Sequence, residues 1–362
     1  MIKSLLILSL LVWPFGQLLG FSLPGIPFTV YLLDLITALL FASLIISSHR
    51  KKIFNAPLQK PLFVFWAVVI LSLIFNINNL ICSGPLTTFF YALRLFIYPS
   101  VYFSARYVGF PKIKKYIHLS IFIFSVLGLA QYIFLPDMRF LKFIGFDDHY
   151  YRLIGSFYDP NFTGAVFSSL ALYSVARKKY LHSLLFIILL ALTFSRASYL
   201  AFAICLVYLL IRQKKYIILV LLPLLGVVVY FLPKPFGEGV NLARTFSIFS
   251  RFESWRQGIV LFLQKPLLGW GYNTLRSPDG SRFQIDNSFI FLLATTGLAG
   301  LAGFLRLLLK GINSIPLSGQ VVLLSLSIHA FFNNSLFYIW LSFIFWLVLA
   351  SGSKKTTEQK TT

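Results

Sequence analysis

Residues 61–79 read PLFVFWAVVILSLIFNINN, an apolar run with no charged side chain. A helix needs about 20 mostly apolar residues to cross a bilayer core, and this run has that length. Working outward, the rule picks out similar runs near 4–20, 28–47, 86–106, 115–135, 160–177, 180–194, 197–211, 215–232, 286–309, 316–332 and 334–351. The expectation is an all-α polytopic membrane helix bundle of about twelve spans. The pair meeting at Ser195–Arg196 and the pair meeting at Asn333–Asn334 could each be a re-entrant hairpin, which leaves ten to twelve. The whole chain, 1–362, reads as one integral membrane domain with no internal repeat.

Composition agrees. The chain is 58% hydrophobic and only 12% charged, against about 25% charged in soluble domains. So little charge cannot clothe a surface in water. Met1–Leu11 has a lysine and an apolar core but no small-x-small cleavage site, so it reads as the first anchor rather than a cleaved signal.

The net charge of +22 would ordinarily suggest nucleic acid. Its distribution argues otherwise. Basic residues cluster between apolar runs at His49–Lys52, Lys112–Lys115, Arg177–Lys179, Arg212–Lys215 and Lys354–Lys355, the pattern of cytoplasmic loops. Alternating from an inside N-terminus puts these clusters inside, along with a short tail at 352–362. Both termini are then cytoplasmic. The partner implied is a phospholipid bilayer and not nucleic acid. Cys82 falls in a short loop and Cys205 in an apolar run, so no disulfide and no zinc spacing is expected.

Two outside connections are longer than joining helices requires: 136–159 and 233–285. Loops beyond about 15 residues are usually functional or disordered. The second is rich in Arg244, Arg251, Glu253, Trp255, Arg256, Trp270, Arg276, Asp279 and Arg282, which suggests order. Within it Phe252, Trp255, Ile259, Phe262 and Leu263 share one face at helical spacing, flanked by Arg251 and Arg256. Such a helix would lie in the membrane interface and end in a turn at Pro266 and Gly269-Trp270-Gly271.

Arginines are the strongest chemical signal, because guanidinium forks match phosphate oxygens and never lose their charge. Arg196 at an outside turn, with Arg251 or Arg256, suggests an anionic headgroup such as a lipid diphosphate; the plainer reading is contact with ordinary phospholipid phosphates. Arg94 lies mid-span and needs a partner. It either serves the substrate or pairs structurally with Asp34. Asp286, with Asn287 beside it, either caps the helix that follows or orients a substrate hydroxyl. Gly297, Gly300 and Gly303 on that helix suggest close helix packing. Asp147-Asp148-His149 lacks a third spaced ligand and reads as a solvated loop rather than a metal site. His329 reads as a hydrogen-bonded interior histidine. No phosphate-binding glycine loop, dinucleotide fingerprint or Ser-His-Asp set appears.

These residues resemble the bacterial O-antigen ligase and O-antigen polymerase family. The likeness rests on Gly155-Ser156-Phe157-Tyr158-Asp159-Pro160-Asn161, on Thr193-Phe194-Ser195-Arg196, and on a third set. That set runs from Arg251-Phe252-Glu253-Ser254-Trp255 through Pro266-Leu267-Leu268-Gly269-Trp270-Gly271 to Asp286-Asn287 and Thr296-Gly297. The resemblance implies a GT-C-like membrane glycosyltransferase at the outer face of the bacterial cytoplasmic membrane. It would use an undecaprenyl-diphosphate-linked glycan as donor and a glycan or lipid acceptor, with no cofactor and no metal. Arg196, Arg251 and Asp286 would be catalytic; Arg94, Asn161, Trp255, Arg256, Gly269, Gly271 and Asn287 would bind substrate. Between Arg251 and Arg256, which helical spacing leaves equivalent, the family pattern favours Arg251.

The departure is Asp286, where ligases of the family carry a histidine. An aspartate beside two arginines is expected to have a lowered pKa and to be a weak base. It could still accept a proton late, with charge stabilisation by arginine supplying most of the catalysis. This leans the reading from ligase toward polymerase. A flippase for lipid-linked sugars and a protein O-oligosaccharyltransferase are the rivals. The gathering of polar residues at one face, without paired repeats, favours an enzyme over a transporter.

Overall fold

The computed structural model describes residues 1–22, 28–82, 84–234, 238–243, 245–277 and 283–352. Arg244, Asp279, Arg282 and Lys354–Lys355 lie outside the described residues. The principal helices are α1 (Ile2–Val12), α2 (Leu32–Ile46), α3 (Gln59–Phe75), α4 (Pro85–Ile97), α5 (Ser100–Val108), α6 (Phe110–Phe134), α7 (Pro160–Ala176), α8 (Tyr180–Leu192), α9 (Arg196–Gln213), α10 (Leu221–Phe231), α11 (Phe246–Gln264), α12 (Ser288–Asn313), α13 (Leu317–His329) and α14 (Ile339–Leu349). The one sheet among the described residues is a short antiparallel ribbon, Gly20–Ser22 against Thr29–Tyr31.

This is an all-α integral membrane protein. Among the described residues, four helices are long and apolar enough to cross a membrane: Ile2–Leu19 (α1 with the 3-10 turn that follows), α6, α9 and α12. The six apolar helices α2, α3, α8, α10, α13 and α14 are shorter. At 1.5 Å per residue, the 17 residues of α3 reach about 25 Å, short of the ~30 Å core. Helix length therefore supports four spans, and the expected count of about twelve does not follow from it. One expected span, 86–106, is two helices. Pro99 separates α4 from α5, as a residue that lacks an N–H and crowds the preceding turn should.

The core is one large cluster of apolar side chains drawn from nearly every helix, with Trp340, Tyr98 and Phe65 among its largest members. A separate small cluster of Met138, Leu141 and Ile154, covered by Phe146 and Tyr158, holds the 136–159 loop together. Helix α7 sits at the centre, packed on α8, α9 and α13, while α12 packs on α3 and α11.

Helix α12 is broken. Gly297 has φ 66° and ψ −167° inside it, and the turn at 266–271 fits into the break. Leu298 N–H donates to Pro266 O at 2.8 Å and Ala299 N–H to Leu267 O at 3.2 Å; Trp270 and Gly271 N–H donate to Ala294 and Thr295 O at 3.0 and 2.9 Å. Ser72 on α3 closes the junction by donating to Leu268 O and Thr295 O. Gly297 thus serves the break and not helix packing, because a Cβ there would strike the Leu267 carbonyl. Gly303 does pack closely, facing the Phe65 backbone on α3.

Candidate active site

The turn that presents Arg196 is built from short polar side chains. Helix α8 stops at Leu192, Phe194 takes φ 49°, and Ser195 caps α9 by accepting from Ser198 N–H. Arg152, buried at 6% exposure, donates to Thr193 O at 2.9 Å and Phe194 O at 3.3 Å, satisfying the carbonyls the turn leaves over. Asn161 at the start of α7 braces the same turn, accepting from Ser195 Oγ through its side chain and from Ser198 Oγ through its carbonyl, both at 3.1 Å.

From this turn Arg196 reaches toward the long loop. It donates to Leu242 O at 3.1 Å and to Ser247 Oγ at 2.7 Å. Arg251 lies one turn further along α11, half-buried, with Nη2 3.4 Å from Asn333 Oδ1. Burial pulls the Arg251 pKa below its ordinary value; Asp286 opposes this, Arg196 adds to it and Asp159 opposes it. Two guanidiniums and two carboxylates therefore share one neighbourhood. Asp159 caps α7 through Asn161 and Phe162 N–H, and burial raises its pKa. Asp147 from the 136–159 loop is near enough to act electrostatically on both Asp159 and Asp286.

Asp286 is fixed by its backbone, with its side chain left over. Its N–H donates to Ser254 Oγ at 3.0 Å and its carbonyl accepts from Trp255 Nε1 at 3.1 Å. The capping role falls to Asn287, whose Oδ1 accepts from Phe289 and Ile290 N–H at 2.9 and 3.0 Å. Among the described residues no hydrogen bond reaches the Asp286 carboxylate. Its pKa is raised and not lowered. Burial outweighs the pull of Arg251, and Asp147 pushes the same way as burial. The expectation of a weak base counted the arginines and not the desolvation.

The other expected residues lie apart from this cluster. Arg256 is on the exposed side of α11, paired with Glu253 at 2.7 Å. Gly269 and Gly271 sit in the junction with α12, where their positive φ angles of 64° and 97° allow the two backbones to meet. Arg94 makes a buried pair with Asp34 at 2.6 Å, and Tyr98 and the Thr29 carbonyl complete the arrangement. Among the described residues no group of three His, Cys, Asp or Glu is placed to hold a metal.

Arg152, Asp159, Asn333 and His329 belong to the site's framework, yet sequence reasoning did not assign them there. Asp159 precedes Pro160 in the pattern of a cap followed by proline at the first helical position. Arg152 and Asn333 find partners 41 and 82 positions away, and His329, bonded to Asn333 and Ser335 close by, reaches the site only through Asn333.

Residues 181–305 match a family model described as O-antigen ligase. The resemblance is to a real family. The resemblance to the O-antigen ligase and polymerase family is borne out over this segment, about a third of the chain. The matched segment contains Arg196, Arg251, Trp255, Gly269, Gly271, Asp286 and Asn287. It begins after Asp159 and Asn161 and ends before Asn333. A search of curated proteins finds no match.

Proposed function

We propose that this protein is a glycosyltransferase that elongates a surface polysaccharide from an undecaprenyl-diphosphate-linked glycan at the outer face of the cytoplasmic membrane, as a polymerase rather than a ligase. The observation that supports it is the convergence of Arg196 and Arg251 beside an aspartate whose carboxylate accepts no hydrogen bond from the described residues. Guanidinium forks match the oxygens of a multiply charged anion, and burial raises the pKa of both Asp159 and Asp286, which lessens their offset of the arginine charge. An acceptor hydroxyl attacks the anomeric carbon as the carbon–oxygen bond to the diphosphate breaks. The electron pair leaves on the diphosphate, whose charge the arginines stabilise, and the hydroxyl proton passes to Asp286. A raised pKa suits Asp286 for that task. In this reading the six shorter apolar helices, α7 and the α4–α5 pair join the four long helices to make about twelve spans, with both termini inside, and no metal takes part.

The test is glycan chain length in cells. Arg196→Ala and Arg251→Ala each abolish long-chain glycan at unchanged protein level, whereas Arg256→Ala leaves it intact. Normal chain length in the first two variants contradicts the mechanism. Deletion separates the two activities: accumulated single repeat units indicate a polymerase, and polymer retained on the undecaprenyl carrier indicates a ligase.

A further inference from the structure

Arg251 is held at the end of a buried polar relay that the chemistry above does not use. Its Nη2 lies 3.4 Å from Asn333 Oδ1, Asn333 Nδ2 lies 3.3 Å from His329 Nε2, and His329 Nδ1 lies 2.6 Å from Ser335 Oγ. Direction can be assigned along the whole chain. Arginine only donates, so Asn333 must offer it the carbonyl oxygen. The amide nitrogen is then left to donate to His329, whose Nε2 must be unprotonated. That leaves the ring proton to Nδ1, which faces Ser335 Oγ, while the Asn161 carbonyl also hydrogen-bonds the ring.

The relay stands on the same frame as Asp286. Asn287 Nδ2 donates to Phe331 O and Ser288 N–H to Ala330 O. Ser288 Oγ contacts Asn334 Oδ1 at 3.1 Å and accepts from Leu336 N–H at 3.2 Å. The turn joining α13 to α14 is thus clamped to the start of α12, two residues past Asp286. His329 is fully buried and Asn333 nearly so. In a bundle interior an apolar pair would fill this space without desolvating polar groups, so two buried polar side chains aligned on one guanidinium call for a role.

We propose that Asn333 and His329 are positioning residues that aim the Arg251 guanidinium at the donor diphosphate. Asn333 supplies the acceptor that orients the fork, and His329, locked by Ser335, keeps that acceptor pointed at Arg251. This rests on the reading of Arg251 as a diphosphate ligand.

The experiment measures binding of undecaprenyl diphosphate to the full detergent-solubilised chain in a double-mutant cycle. Asn333→Leu and His329→Leu each weaken binding about tenfold, the scale of one hydrogen bond to a charged group. His329→Gln restores most of the loss, since its amide can accept from Asn333 and donate to Ser335. In an Arg251→Ala background neither change weakens binding further, because the group they orient is gone. Losses that add fully in that background mean a merely structural role and overturn the proposal. So does unchanged binding in Asn333→Leu when Arg251→Ala binds poorly. If Arg251→Ala itself binds normally, the diphosphate reading fails first and the relay's role fails with it. Asn333→Ala, which removes both polar groups without adding bulk, replaces Asn333→Leu if that variant does not accumulate.

Discussion

Gly269→Ala separates a glycine that binds substrate from one that lets two backbones meet. Gly269 has φ 64°, and a methyl group there would lie 2.5 Å from Thr296 N and 2.7 Å from Thr295 O. Left-handed backbone costs an L-residue about 1–2 kcal/mol. The obstructing atoms are backbone, so the 266–271 segment has to withdraw from the break in α12. That withdrawal stretches the Trp270–Ala294 and Gly271–Thr295 hydrogen bonds, each worth about 0.5–1.5 kcal/mol net and more if the groups stay buried without partners. Together the loss is about 2–5 kcal/mol, a large part of the ~5–15 kcal/mol of a typical folded protein. The assay is thermal unfolding of purified protein in detergent alongside its amount in the membrane. Gly269→Ala is expected to melt well below the parent and to accumulate poorly. An unchanged melting curve with a selective loss of donor binding would refute the reasoning and return Gly269 to the substrate site.

Asp286→Asn removes the proton acceptor without removing the cap, since Asn287 caps α12. Burial raises the Asp286 pKa, so the parent's activity falls as pH drops through a value above the ordinary carboxylate range. The variant loses turnover and that acid limb of the pH–rate profile; an identical limb in both proteins removes Asp286 from proton transfer. Arg94→Leu leaves the buried Asp34 carboxylate with Tyr98 and the Tyr31 N–H as its partners among the described residues, which costs about 3–5 kcal/mol. It should reduce the folded amount, and Asp34→Leu with Arg94→Leu together should recover most of it; wild-type stability in the single variant would show the pair to be idle.

What the sequence made legible followed from local signals. Hydropathy exposed the helices, and the apolar face of 252–263 at helical spacing exposed α11, although the helix begins earlier, at Phe246. The tight turn at Ser195–Arg196 and the Arg94–Asp34 pair were also readable, because serine before a helix and a charge within a span each have few solutions. The break at Gly297 was not readable, since its partner is the backbone of 266–271 and backbone atoms leave no side-chain signature. The Asp286 pKa went the other way because burial, which no short stretch records, exceeds the nearby positive charge. The relay through Asn333, His329 and Ser335 is local except at its Arg251 link, which spans 82 positions, and nothing in the local stretch distinguishes it from ordinary interior polarity.

The most direct test of the central claim is reconstitution of the purified protein in phospholipid vesicles with an undecaprenyl-diphosphate-linked repeat unit as the only added substrate. The account predicts longer glycans together with release of undecaprenyl diphosphate, both absent with Arg251→Ala. Movement of intact lipid-linked glycan between the leaflets, with no release of undecaprenyl diphosphate, would contradict it.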